Sequence, residues 1–160
     1  MQLSSCYLFQ GLSDSQLSNL STIGIEAPVQ KDKWLFREEE DLQQIFILKD
    51  GAVELLTTVD AIEIPITILR SPGDCFGTSA LVAPYKYSLS ARGVEDGSLL
   101  AMKRVDLEKL IKQDHELGCI VQANLAKHFL ERLKETRAEL KIHFKTIIKS
   151  MHHGIYFRQD

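Results

Sequence analysis

Apolar positions change period twice along this chain, and each change marks a change of element. Near the start, Leu12, Leu17, Leu20 and Ile23 recur at roughly helical spacing behind Ser13 and Gln16, a capping-box pair. The pattern predicts a helix over about 13–22, closed by Gly24 and Pro28. From roughly 27 to 104 the chain reads as short strands. Trp34-Leu35-Phe36 is a short apolar run. Ile45-Phe46-Ile47-Leu48 is a second, ended by Asp50-Gly51, which predicts a turn before Ala52-Val53-Glu54-Leu55-Leu56. Ile62, Ile64, Ile66 and Ile68 alternate with Glu63, Pro65, Thr67 and Leu69, and Pro65 marks that run as an edge strand or a bulge. Pro72-Gly73-Asp74 predicts a turn. Leu89 to Val94 and Ser98 to Met102 predict two strands around a turn at Glu95-Asp96-Gly97. Many short strands with frequent turns imply a sandwich or roll.

Beyond about residue 105 the period becomes helical. Asp106 to Lys112 predicts a short helix. Asp114 or a neighbour opens a second that runs to about 150, free of proline and interrupted only by Gly118. Its apolar residues fit two heptad sets: Cys119, Ala126, Leu133, Leu140 and Ile147, and Ala123, Leu130, Arg137, Phe144 and Met151. Arg137 is the one large polar exception. A helix of ~35 residues extends ~50 Å, more than one small domain covers. The exposed seam (Ala126, Leu130, Leu133, Leu140, Phe144, Ile147) therefore predicts a homodimer through a parallel two-stranded coiled coil. The competing reading packs Leu117 to Leu133 on the chain's own strands and lets the rest fray. The fold class is mainly β, a jelly-roll-like β-roll with an N-terminal helix and a long C-terminal helix. The expected divisions are 1–104 for helix and roll, 105–151 for the two following helices within the same domain, and 152–160 for a tail.

Composition narrows the function. The chain has 160 residues, 44% hydrophobic and 26% charged, which suits one globular domain with a real core. A formal net charge of -3 argues against a protein that coats nucleic acid. A local excess of seven basic residues over three Glu between Lys127 and Lys149 reads as a solvated helical face. Cys6, Cys75 and Cys119 are odd in number and widely spaced, which implies reduced thiols and a cytoplasmic location. Leu3-Ser4-Ser5-Cys6 resembles a lipoprotein cleavage box, but no basic start or apolar run precedes it to build an export signal. No stretch approaches the ~18 apolar residues of a membrane span. All five histidines (His115, His128, His143, His152, His153) follow the predicted strands, so a metal-binding cupin lacks ligands and no metal site is expected. His115 and Cys119 share a helical face, yet two ligands without a third are more often chance. No hydrolase triad motif, Walker loop, dinucleotide fingerprint or HExxH is present, and no enzyme is expected.

Asp32-Lys-Trp-Leu-Phe36, Ile45-Phe-Ile-Leu-Lys-Asp-Gly-Ala-Val-Glu-Leu55, Pro72-Gly-Asp-Cys-Phe-Gly77, Ala80-Leu81 and Ser88-Leu-Ser-Ala91 together resemble the cyclic nucleotide-binding domain family. That family includes catabolite-activator-like regulators, protein kinase A regulatory subunits and gated channels. The resemblance spans roughly residues 8–135. It implies that a phosphate-binding cassette follows Phe76-Gly77, with Gly77, Thr78, Ser79, Ala80 and Leu81 turning N–H groups toward an anion. In the family a Glu directly after the Gly holds the ribose hydroxyl, and an Arg after a Pro pairs with the cyclic phosphate. Here Thr78 stands at the Glu position, and Tyr85-Lys86-Tyr87 stands where Pro-Arg is expected. Lys86 offers a point charge without the fork of an Arg, and Ser88 matches the family's hydroxyl. The segment from Gly77 to Ala91 is also about two residues short.

The resemblance thus implies a regulatory module that does not bind cyclic AMP or cyclic GMP in the usual manner. The candidate ligand residues are Gly77, Thr78, Ser79, Ala80, Lys86, Tyr87 and Ser88, facing a cyclic nucleotide or another small anion. Thr78 either touches a ligand or caps a small helix at 79–82. Tyr85 and Tyr87 either wall a pocket or cover the core. In one version, a ligand shifts the short helix and the base of the long one, and an effector protein reads the altered helix pairing. In the other, the pocket is vestigial and plugged by Tyr85 or Tyr87, and the chain is a structural dimer. Only about ten residues follow the long helix, too few for the helix-turn-helix of activator-type relatives, so no direct sequence-specific DNA reading is expected.

Overall fold

The computed structural model describes residues 3–41 and 43–156, the last five as backbone only. The residues through Asn124 form one unit and those from Leu125 onward a second.

The capping box forms as its residue types require. Ser13 Oγ accepts from the Gln16 N–H at 3.3 Å, and Gln16 Oε1 accepts from the Ser13 N–H at 3.0 Å. It opens helix α1, Asp14–Ile23. Strand β1, Gly24–Val29, follows at once, so Gly24 and Pro28 lie in a strand where only a helix stop was expected. β1 is an edge, pairing with β6 (Ser90–Lys103), which is where a strand tolerates Pro28. The other strands are β2 (Trp34–Phe36), β3 (Gln44–Val59), β4 (Ile62–Leu69) and β5 (Cys75–Phe76). All pairings are antiparallel, in the order β1-β6-β3-β4, with β2 on β6 and β5 on β3. The result is the jelly-roll-like β-roll the sequence implied.

Two expected turns are instead bulges. Asp50-Gly51 lies within β3, and Glu95-Asp96-Gly97 lies within β6. The ladder between them shifts register around Asp50 and Ala52 and then resumes. Gly51 has φ 83°, and a Cβ there would sit 2.8 Å from the Asp96 carbonyl oxygen. Glycine is needed because two backbones touch, which the dipeptide signal alone does not separate from a hairpin. Pro65 behaves as expected: β4 is an edge strand, and its register shifts at Leu55/Leu56, opposite Pro65. The isoleucine row Ile62, Ile64, Ile66 and Ile68 is exposed throughout. The turn at Pro72-Gly73-Asp74 forms, and the Asp74 carboxylate accepts from the N–H groups of Arg70 (3.1 Å) and Ser71 (2.9 Å).

One buried cluster joins Val29, Phe36, Phe46, Leu48, Val53, Phe76, Ala80, Tyr87, Ala91 and Leu99. Ile45 to Leu48 are buried on both faces of β3, which explains their uninterrupted apolar run. Helix α2, Arg104–Gln113, buries Leu107. Helix α3, His115–Tyr156, opens with the Asp114 carboxylate accepting from the Leu117 N–H at 3.0 Å. The same carboxylate takes the Gln16 side-chain amide at 2.9 Å, and Asn124 donates to the carbonyls of Leu8 (3.1 Å) and Gln10 (2.9 Å). Burial on α3 ends near Val121. The helix also continues to Tyr156, past the expected stop near 150 and into the segment expected as tail; residues 157–160 lie outside the described residues. No proline interrupts it, and each of its two glycines, Gly118 and Gly154, costs a helix only ~1 kcal/mol. Among the described residues, no helix is long and apolar enough to cross a membrane.

Candidate functional site

The cassette turn begins where β5 ends. Phe76 is buried, and Gly77 takes φ 74° as N-cap of a short 3₁₀ turn, Thr78–Leu81. That corrects the expectation of a Thr78 cap over 79–82. Thr78 lies inside the turn, 6% exposed, and its Oγ1 accepts from the Tyr7 hydroxyl at 3.3 Å. Ala80 is fully buried. Ser79 Oγ accepts from the Ser88 N–H at 3.1 Å, closing the loop between the turn and β6. Ser88 itself is exposed.

Tyr85 has φ 65° and lies under the Arg104 guanidinium, 4.1 Å from its ring centroid. Arg104 also donates to Gln43 Oε1 through Nε (3.1 Å) and Nη2 (2.6 Å) and pairs with Glu108. The cassette loop therefore touches the first residue of α2. Lys86 is exposed. Its Nζ lies 3.6 Å from Glu39 Oε2, a solvated pair of little energetic weight.

Tyr87 is 1% exposed and stacks on Phe36 at 3.8 Å between ring centroids, beside Phe46 and Phe76. Its hydroxyl donates to the Gln44 carbonyl at 2.8 Å and accepts from the Gln44 N–H at 3.1 Å. Its backbone carbonyl accepts from Glu39 N–H at 2.9 Å, and its N–H donates to Glu40 at 3.3 Å. Burial pushes the phenol up to about 12, opposed in part by the hydrogen bond to Gln44 and helped by the Glu40 charge. A Cβ on Gly77 would lie 3.1 Å from the Tyr87 ring and 3.2 Å from Phe46, so that side of the turn is filled.

The structure thus brings Gly77, Thr78, Ser79, Ala80 and Tyr87 together and leaves Lys86 and Ser88 on the surface. Sequence reasoning did not pick out Tyr7, Phe36, Gln44, Phe46 or Arg104. Phe36 and Phe46 stood in apolar runs and were readable as core. Tyr7, 71 residues from Thr78, left no local signal. The groups here are hydroxyls, amides, aromatic faces and one exposed ammonium. Among the described residues, no three His, Cys, Asp or Glu side chains converge as metal ligands. The heptad residues Leu130, Leu133, Leu140, Phe144 and Ile147 are 45–55% exposed, and Ala126 is exposed beside them.

A β-roll opened by a helix, with a glycine-led turn before its last strand and a long helix beyond it, is the architecture of a regulatory ligand-domain. Residues 26–114 match the family model described as the cyclic nucleotide-binding domain, and the chain belongs to that family. Its members are regulatory proteins rather than enzymes. Over 127 residues the chain is 24% identical to the anaerobic regulatory protein of Bacillus subtilis, covering 79% of this chain and 53% of that one. Over 135 residues it is 29% identical to the cyclic AMP receptor protein of Thermus thermophilus, covering 84% of this chain and 61% of that one. The crystal structure of the Thermus thermophilus catabolite activator protein superimposes with a TM-score of 0.73 at 29% identity, covering 85% of this chain and 62% of that one. The chain therefore spans little more than half the length of these regulators.

Proposed function

We propose that this chain is a non-catalytic regulatory module that dimerises through α3 and does not hold cyclic AMP or cyclic GMP in the usual way of its family. One observation carries the reading. The side chain at position 87, beside the turn that would receive the phosphate, is a buried, doubly hydrogen-bonded tyrosine stacked on Phe36. A neutral phenol offers no charge-assisted pair to a cyclic phosphate, and Thr78 offers a ribose no carboxylate. The apolar residues from Leu130 to Met151 supply the seam, and exposed apolar surface of that extent calls for a partner. The partner we assign is a second copy in parallel register, placed in the cytoplasm and read by a separate effector protein. Direct DNA reading has no part in this proposal. Titration calorimetry with cyclic AMP and cyclic GMP is the test: no saturable heat is expected, and a saturable one-to-one isotherm would overturn the reading.

A second reading keeps the ligand and changes its identity. Lys86 is an exposed ammonium next to Ser88, on a loop that meets α2 through Tyr85 and Arg104. A small anion at Gly77–Ala80, Lys86, Tyr87 and Ser88 would then bias the start of α2 and the base of α3, provided it binds two states with different affinity. Saturable binding of inorganic phosphate that is lost in Lys86→Ala would favour this version.

A further inference from the structure

Arg137 is the charged member of the α3 seam, in the set Ala123, Leu130, Arg137, Phe144 and Met151. It is exposed, and so are the residues one turn away on its face, Leu133, Lys134, Leu140 and Lys141. None of those four is a carboxylate. Lys145 continues the row that Arg137 and Lys141 begin, so like charges follow one another at i,i+4, a spacing at which they repel. The acids of this stretch lie elsewhere. Glu135 and Glu139 stand two residues either side of Arg137, a spacing that turns side chains apart, and Glu135 takes Arg132 at 2.9 Å. Glu131 stands three residues before Lys134, away from Arg137. The positions flanking the seam repeat the imbalance. Lys127, Lys134 and Lys141 run along one edge, and Phe129, Thr136 and His143 along the other. In a parallel pair the first edge of one helix lies beside the second edge of its partner, and neither edge supplies an acid over these turns.

We propose that Arg137, with Lys134 and Lys141, forms a binding site for a small multivalent oxyanion of the phosphate class, completed only when two copies of α3 pair. The site rests on the parallel homodimer proposed above. In register, each seam residue meets its own copy, so the two Arg137 guanidiniums come side by side. Three cations from each chain then crowd one layer of the seam, six in all, with no carboxylate among them. The apolar layers of Leu133 and Leu140 on either side displace water, which strengthens the repulsion between the paired charges. The neutralising charge has to come from outside the dimer. The planar fork of each guanidinium matches two oxygens of a tetrahedral oxyanion, and the lysines add point charges from the flanks. Chloride carries one charge and offers no such pair of oxygens. An anion held by the dimer and not by the monomer favours pairing by mass action, so it acts as a switch on assembly. This site belongs to α3 and uses neither Lys86 nor the cassette turn.

The test is sedimentation equilibrium of the full chain, under reductant because Cys119 is exposed, in chloride and in inorganic phosphate at equal pH and ionic strength. Equal ionic strength removes general screening as a cause. At phosphate ten times the half-saturating concentration, the dimer dissociation constant should fall about tenfold, as expected for one site per dimer. Arg137→Leu, which keeps helix propensity, should dimerise more tightly than wild type in chloride and ignore phosphate. Arg137→Lys keeps the charge without the fork and should lose most of the phosphate response. A wild-type dimer indifferent to phosphate, beside a dimeric Arg137→Leu, would overturn this site and leave the homodimer standing. So would a phosphate effect of equal size in Arg137→Leu. A wild type and an Arg137→Leu that both stay monomeric at every protein and phosphate concentration would sink the homodimer reading and this site with it.

Discussion

Tyr87 combines a packing duty with a hydrogen-bonding one, and substitutions can separate them. Tyr87→Phe keeps the ring on Phe36 but strips the Gln44 carbonyl and N–H of their phenolic partner. Urea unfolding should show a loss of about 1–3 kcal/mol. Tyr87→Ala also leaves a cavity among Phe36, Phe46 and Gly77 and should cost about 3–5 kcal/mol. Because the folded phenol is raised to about 12 from an ordinary 10, its contribution is complete below pH 10 and is lost as pH rises from 10 to 12. The difference in stability between wild type and Tyr87→Phe should therefore shrink across that window; a constant difference would show that the buried phenol does not titrate as described. Gly51 offers a second single-residue check. With φ 83° and the Asp96 oxygen in the way of a Cβ, Gly51→Ala should destabilise by about 1 kcal/mol or more, whereas a hairpin-turn glycine with open space above it would cost less.

The elements were legible in the sequence to the extent that each rests on local chemistry. The capping box at Ser13, the Asp114 start of α3, and the edge character of β4 at Pro65 are all decided by neighbours a few residues apart, and all three formed. The bulges at Gly51 and Gly97 were read as turns because both devices use the same dipeptides; only the partner strand, some forty residues away, decides between them. At the candidate site, the glycine-led turn after Phe76 was readable, and Tyr85 or Tyr87 was expected to wall a pocket or cover the core, but which of the two turns inward was not readable. That depends on Phe36 and Gln44, which reach it through the tertiary fold. Within α3 the heptad sets predicted a seam, and the described residues from Phe129 to Met151 are all exposed in the single chain. If that seam joins two copies, Leu133→Glu with Leu140→Glu should convert a dimer to a monomer by light scattering. Residues through Asn124 should keep their fold, as judged by near-ultraviolet dichroism. A wild-type monomer at tens of micromolar would remove the dimer from the account.

As a whole, the molecule combines a family β-roll, a glycine-led turn flanked by the buried Tyr87, and a long helix with exposed apolar residues from Leu130 to Met151. Membership of the cyclic nucleotide-binding domain family covers residues 26–114 and sets what must be tested, because the family's usual ligand is the natural alternative occupant of the turn. Thermal unfolding of the purified chain, alone and with millimolar cyclic AMP or cyclic GMP, decides it. A nucleotide bound only by the native state at ~100 times its dissociation constant adds ~2.7 kcal/mol, which for a chain of this size raises the midpoint by several degrees. The account predicts no shift with either nucleotide. A clear rise in midpoint, abolished by Thr78→Val or Lys86→Ala, would contradict it and return the cassette to ordinary cyclic-nucleotide sensing.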